Sequence, residues 1–305
     1  MDRVVVFPGQ GSQAVGMADA WLEHPAARAV LERASEVLGR DVVAGCRDEG
    51  ALATTAFVQP ALLACGVAAF RVLEDEGATE WAGAAGHSLG EFAALVAADV
   101  LSFEDALEVV RVRGEAMQRA GEAQPGGMAA LLGIDAQEAE ALCVEARDGE
   151  VLVVANLNSP GQVVVSGSLR ALDRLEGLAA ARRLRAVRLQ VAGAFHSPLM
   201  EPAAAEIRAA LEPVSLRPPR FPIAENVVGR LVTDVGELRE LLVRQVVSPV
   251  RWADCVGALV AAGATTIVEA GPGGVLTRLQ KRIDPGVRAV AVASPDAART
   301  FVAAG

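Results

Sequence analysis

Apolar and polar positions along the first half of the chain follow two alternating rhythms. Val4–Phe7 is a short uninterrupted apolar run, the pattern of a strand buried on both faces. A helix is expected from about Met17 to Leu38. Gln59–Leu73 is almost wholly apolar and opened by Pro60, a favoured first-turn residue, so a second helix is expected there. Thr79–Ala85, small and apolar, leads into Gly86-His87-Ser88-Leu89-Gly90. Beyond it, Phe92, Leu95, Val96 and Ala98 fall on one stripe of a helix expected over Glu91–Val100. Such strand–helix alternation predicts a mainly parallel sheet covered on both faces.

After Pro125-Gly126-Gly127 the rhythm changes. Strands are expected at Met128–Gly133, Val151–Leu157, Gln162–Gly167 and Ala186–Val191. Helices are expected at Ala136–Ala146, capped by Asp135, and at Leu169–Leu184. The order β-α-β-β-α-β is a split βαβ unit. Residues 127–191 are therefore expected to form a ferredoxin-like subdomain, inserted in an α/β domain made of residues 1–126 and 192–305. Pro213–Pro222 holds four prolines and is expected to cross the molecule extended. Helices near Glu237–Val247 and Trp252–Ala262 and strands at Thr265–Glu269 and Arg288–Ala293 close the chain.

Composition narrows the class. A charged fraction of 22% beside 52% hydrophobic residues is that of a water-soluble globular enzyme. Met1-Asp2-Arg3 runs directly into a strand, so no targeting signal is expected. Val151–Leu169 is uncharged, but Asn156, Asn158, Ser159, Pro160 and Gly161 at its centre rule out a membrane span. The expected setting is cytoplasmic. Cys46, Cys65, Cys143 and Cys255 are scattered, without a C-x-x-C pair, which excludes a zinc site and a disulfide framework by spacing. A net charge of −10 argues against nucleic acid as a partner.

The segment Gly86–Gly90 fits G-x-S-x-G between a strand and a helix, a sharp turn that exposes a serine hydroxyl above a helix N-terminus. There the Leu89 N–H and the helix dipole can stabilise an oxyanion. The expected large domain is accordingly α/β-hydrolase-like. Ser88 needs a base, and the chain has three histidines. His87 is adjacent and projects away, and His24 looks like a surface residue of the first helix. His196 remains, in the irregular Gly193–Pro198. No acid lies between Gln190 and Met200, so a backbone carbonyl is the alternative orienting group. Pro8-Gly9-Gln10-Gly11-Ser12-Gln13 supports two readings. One is a dinucleotide loop continued by Ala14, with Asp48 as ribose ligand; the other is a second oxyanion wall formed by the Gln10 N–H. Glu269–Gly274 is a structural turn or, less simply, a phosphate cradle.

These residues, taken in order, resemble the malonyl-CoA:acyl-carrier-protein transacylase family over essentially the whole chain. The matching motifs are Phe7–Gln13, Gln59-Pro60-Ala61, Gly86–Glu91, Arg111-Val112-Arg113-Gly114, Asn158–Gln162, Phe195-His196, Gln245 and Gly271-Pro272-Gly273. The resemblance implies Ser88 as nucleophile, His196 as base, and the N–H groups of Gln10 and Leu89 as oxyanion hole. It implies the Gln245 main-chain carbonyl as the group orienting His196. Arg113 would pair with a malonyl carboxylate, with Gln59, His87 and Phe195 beside it in the substrate pocket. Phe195 should crowd an α-methyl branch, although Gly193 departs from the extender-selecting tetrapeptide. Malonyl-CoA and an acyl carrier protein are the implied partners, with no metal and no bound cofactor. Arg182, Arg183, Arg185 and Arg188 are a candidate patch for these anionic partners, or a solvated face. The rival functions are an acyl-editing hydrolase on the same fold, a methylmalonyl-selective transferase, an unrelated serine esterase, and an oxidoreductase using the Gly9–Gly11 loop.

Overall fold

Ten strands make two sheets in a computed structural model that describes residues 3–304; Met1, Asp2 and Gly305 lie outside the described residues. The strands are β1 (Arg3–Phe7), β2 (Gly83–Gly86), β3 (Gly126–Leu132), β4 (Leu152–Ser159), β5 (Gln162–Ser168), β6 (Arg185–Arg188), β7 (Ile223–Glu225), β8 (Arg230–Val232), β9 (Thr266–Ala270) and β10 (Arg288–Val292). The larger sheet runs β10-β9-β1-β2-β7-β8 and is parallel except for β8. The smaller sheet, β4-β5-β3-β6, is antiparallel throughout.

β1 shows why the first strand is apolar without alternation. Its side chains point to opposite faces in turn, and both faces are covered. Val5 and Phe7 pack into the cluster that includes Leu63 and Phe70 of the helix Thr55–Asp75. Val4 and Val6 pack with Trp252, Val256 and Leu276 from the helices Trp252–Ala261 and Val275–Ile283. The smaller sheet has its own core, where Leu131, Leu152 and Val165 meet Leu142 and Leu172 of the helices Ala136–Arg147 and Leu169–Ala181. Val250 joins the two parts: its N–H donates to Ala155 O and its O accepts from Leu157 N–H, both at 2.9 Å.

Several local expectations change. The helix expected over Met17–Leu38 is a 3₁₀ turn, Asp19–Glu23, followed by the helix Pro25–Leu38. His24 between them is extended, as a residue before proline prefers. It is not on the surface: it is 7% exposed, with Nε2 3.3 Å from Glu76 Oε1. Pro60 does not open its helix, which begins at Thr55 and encloses it. Proline cannot donate to Ala56 O, and Arg40 Nη2 takes that carbonyl instead at 3.1 Å. Thr55–Asp75 is also the segment that has the length and apolarity of a membrane span, rather than Val151–Leu169. Of its most apolar window 89% is buried inside the protein, which makes it the central core helix. β7 and β8, three residues each, are too short for periodicity to announce.

Candidate active site

The loops that leave the C-terminal ends of β1, β2 and β9 meet at one end of the larger sheet, the usual place for a site in an open parallel sheet. The turn after β2 is held open by the absence of side chains. A Cβ on Gly86 would lie 1.9 Å from the Gly90 carbonyl carbon, and one on Gly90 would lie 2.1 Å from Phe7 O. Between them Ser88 sits at φ 51°, a conformation that L residues adopt at a cost. Asn226, just after β7, fastens the turn: its Oδ1 accepts from Ser88 N–H at 2.7 Å and its Nδ2 donates to Gly86 O at 2.8 Å. Eight buried residues, Gly90–Ala97, then form a helix aimed at the turn.

His196 reaches Ser88 from 108 residues away, with Nε2 2.8 Å from Ser88 Oγ. Its Nδ1 faces two carbonyls, Gln245 O at 2.9 Å and Ser248 O at 3.2 Å. Two acceptors on that side require the proton on Nδ1 and leave Nε2 to accept from the serine. His196 also has a positive φ, 58°, and Ser197 frames it by donating to Ala194 O at 2.6 Å. Burial, with the Arg113 cation adding to it, pulls the imidazole pKa down to about 3, so the ring is neutral across the physiological range.

Arg113 comes from the helix Phe103–Ala123 and is 1% exposed. Its Nη1 donates to Gln59 Oε1 at 2.6 Å; its Nη2 donates to Gln245 Oε1 at 2.9 Å and to Ser88 Oγ at 3.0 Å. Burial lowers its pKa to about 10, and it stays cationic at neutral pH. A buried guanidinium with one face toward a hydroxyl, and Nε still without a partner, suits a planar anion brought in beside that hydroxyl.

Gln10, Gln59, His87, Ser88, Leu89, Arg113, Phe195 and His196 line one cavity of about 330 Å³, and Gln245 stands directly behind it. All nine residues singled out in the sequence therefore converge. His87 turns away from Ser88 as expected: its Nε2 lies 2.8 Å from Asn158 Oδ1 and its ring rests 5.6 Å from Trp252. Among the described residues, neither the Gln10 nor the Leu89 N–H donates to a protein acceptor.

The dinucleotide reading of Gly9–Gly11 fails. No strand follows before β2, and Asp48 caps the helix Glu49–Leu52 by accepting from Ala51 N–H at 2.8 Å. The loop instead closes on itself, Ser12 Oγ donating to Gly9 O at 2.7 Å, and joins the wall opposite Ser88. Glu269–Gly274 is a structural turn: the Glu269 carboxylate accepts from Leu276 N–H at 3.1 Å and Thr277 N–H at 2.7 Å, occupying the helix start that a phosphate would need. In the arginine group, Arg182 pairs with Glu145, and Arg188 pairs with Asp173 and Glu176 at 2.8 and 2.6 Å. Arg183 and Arg185 stay exposed. The four thiols are buried and free. Sequence reasoning gave no role to Asn226, Glu91 or Glu225. Glu91 alone had a signal, as one acid within an apolar helix.

Comparison with known proteins gives a single answer. Residues 4–295 match the family model described as the acyl transferase domain. The malonyl CoA-acyl carrier protein transacylase of Escherichia coli K12 is 41% identical over 296 residues, 96% of each chain. That of Bacillus subtilis is 39% identical, over 95% of this chain and 93% of its own. Among solved structures, the malonyl-CoA:acyl carrier protein transacylase of Xanthomonas oryzae pv. oryzae superposes with a TM-score of 0.96 at 42% identity, covering 100% of this chain and 99% of that one. A malonyl-transacylase in complex with a type II PKS acyl-carrier protein gives 0.96 at 37% identity, covering 100% of each.

Proposed function

The chain belongs to the acyl transferase domain family, and from that premise we propose that it is a malonyl-CoA:acyl carrier protein S-malonyltransferase working through a serine-linked acyl-enzyme. The observation that carries this reading is one oxygen with two neighbours: Ser88 Oγ lies 2.8 Å from a neutral histidine nitrogen and 3.0 Å from a buried guanidinium. The first neighbour supplies nucleophilic catalysis, and the second selects an acyl group bearing a carboxylate.

In this mechanism His196 Nε2 takes the Ser88 proton as Oγ attacks the malonyl thioester carbonyl. The oxyanion is met by the N–H groups of Gln10 and Leu89. The tetrahedral intermediate expels the thiol of coenzyme A, which leaves with the proton from His196. The phosphopantetheine thiol of the carrier protein then gives its proton to His196, attacks the ester, and frees Ser88. The Gln245 and Ser248 carbonyls hold the Nδ1–H through both halves, in place of a triad carboxylate. Arg113, seated by Gln59 and the Gln245 amide, turns one face to the malonyl carboxylate. Phe195 and His87 bound the acyl pocket, where Phe195 would crowd an α-methyl branch. We also read the larger unit, residues 1–126 and 192–305, as α/β-hydrolase-like and residues 127–191 as a ferredoxin-like insertion. The strand order β4-β5-β3-β6 with its two helices supports the latter. Four unpaired thiols agree with a cytoplasmic setting.

Intact mass after incubation with malonyl-CoA tests the proposal. A malonyl adduct that disappears when a holo carrier protein is added, with malonyl appearing on the carrier, is the expected result. Release of free malonate with no adduct and no transfer would make the protein an editing hydrolase.

A further inference from the structure

Beneath the serine turn lies a second group of ionisable side chains that the mechanism above does not use. Glu91, in the helix after Ser88, and Glu225, at the end of β7, are both 0% exposed. Glu91 Oε2 accepts from Gln245 Nε2 at 2.6 Å. Glu225 Oε2 accepts from Val227 N–H at 2.8 Å and Val228 N–H at 3.0 Å. The other oxygen of each, Oε1, is buried without a hydrogen-bond partner, the two carboxyls lie close enough to interact directly, and the Asn226 N–H also faces Glu91. Two carboxylates facing one another in a dry interior repel, whereas a carboxylic acid and a carboxylate form a short, strong O–H···O⁻ bond.

We propose that Glu91 and Glu225 share a single proton and act as a positioning pair that clamps the Gln245 amide under the catalytic residues. The inference rests on the reading of Ser88 and His196 given above. Two backbone N–H groups and the nearby Arg244 cation favour the anion on Glu225, and Glu91 carries the proton. Burial, and then the Glu225 charge, hold the Glu91 carboxyl well above the usual range. The groups facing the pair are Arg113, Arg244 at the end of the helix Val235–Arg244, and the Cys255 thiol.

The clamp decides which way Gln245 points. With Nε2 on Glu91 Oε2, that same nitrogen donates to Ser88 O at 3.0 Å and Oε1 is left for Arg113 Nη2 at 2.9 Å. The opposite amide orientation would set two donors, Gln245 Nε2 and the guanidinium, against each other. Glu91 therefore governs the partner of Arg113 without touching the substrate. The one negative charge of the pair also balances the buried cation.

An amide mimics a protonated carboxyl, one donor side and one acceptor side, so the test uses Glu91→Gln, Glu225→Gln, the double variant and Glu91→Ala. The folded pair holds a proton that the unfolded chain releases above the ordinary carboxylate pKa. Wild-type stability is then present at low pH and lost as pH rises toward the raised pKa. In Glu225→Gln the amide replaces the proton, and that loss disappears. The ratio of unfolding constants, wild type over Glu225→Gln, should rise about tenfold per pH unit from about pH 5 until the raised pKa is reached, the slope for one proton. Parallel profiles would overturn the proposal. So would an infrared spectrum of the wild type lacking a protonated-carboxyl C=O stretch at neutral pH. In the double variant two NH₂ groups face each other with no charge left. It should lose about tenfold or more in malonyl transfer, and more stability than the single changes together. For the clamp itself, Glu91→Gln should recover most of the kcat/KM for malonyl-CoA that Glu91→Ala loses. Equal loss in both would remove the positioning role. The stability profile and the infrared band do not depend on activity, so they decide the shared proton even if malonyl loading fails.

Discussion

The two sheets of this protein use the same unusual backbone conformation for opposite ends. In and around the smaller sheet, Asp148 (φ 44°) and Arg183 (φ 57°) lie just past the ends of helices, where a left-handed residue stops the helix and lets its last carbonyls find donors. In the larger unit Asp99 (φ 59°) likewise follows the helix Gly90–Ala97, but at the end of the larger sheet Ser88 (φ 51°) and His196 (φ 58°) are left-handed in the middle of the chemistry. The contrast extends to buried polarity. The core of the smaller unit is apolar, with its helix starts closed locally by Asp135 and Ser168. Around Ser88 the core holds Glu91, Arg113, His196, Glu225 and Gln245, and all but Glu225 hydrogen-bond to partners far away in sequence. One region is built for stability by neighbours in sequence; the other keeps strain and charge in place because the surrounding fold requires them.

The largest effect that could break this comparison comes from Ser88→Ala. It should abolish covalent malonyl loading, measured by intact mass, because among the described residues no other hydroxyl sits on a strand-to-helix elbow beside a histidine nitrogen. An adduct formed at the wild-type rate would show that the elbow is only a turn.

His196→Ala should follow, with acylation slowed on the order of 10²–10⁴-fold, the range for removing a general base. His87→Ala should cost far less, since its ring faces Asn158 and Trp252 rather than Ser88. The buried ring also sets a pH signature. With its folded pKa depressed to about 3 against an unfolded value near 6.5, His196 contributes stability above pH 6.5 that is lost as pH falls toward 3. Acylation should show no limb near pH 6.5 in kcat/KM for malonyl-CoA. A rate that halves at that pH would place the imidazole in water.

Arg113→Ala sharpens the contrast within the site. Drawing a carboxylate into a dry pocket is costly unless a fixed cation meets it. The variant should therefore lose kcat/KM for malonyl-CoA by about 10²-fold, the cost of stranding a buried charge, and far less for acetyl-CoA. Equal losses for both thioesters would reduce the arginine to a packing element.

The smallest effect lies in the other region. Asp135 accepts from Glu138 N–H at 2.8 Å while Glu138 Oε2 accepts from Asp135 N–H at 3.0 Å. Asp135→Ala should cost about 1 kcal/mol in chemical denaturation and leave malonyl transfer unaltered. A change in transfer would mean that the smaller unit is coupled to the chemistry more tightly than its local construction suggests.

What the amino-acid sequence determined by itself is whatever depends on near neighbours. The elbow was legible because Gly86, Ser88 and Gly90 lie within five residues between a strand and a helix, and the cap at Asp135 because its partner is three residues on. The β-α-β-β-α-β order was legible because each element is long enough to show its period. Elimination among three histidines left His196, and resemblance supplied Gln245 and Arg113. The tertiary structure alone decided the rest. Nothing local distinguishes Asn226 or Glu225, whose roles exist only because β7 lies beside β2. Nor could His24 be recognised as buried, or Pro60 as interior, since other segments cover the one and supply Arg40 to the other. Periodicity records which face of an element is buried. It does not record which distant side chain meets that face, and a polar site is made of such meetings.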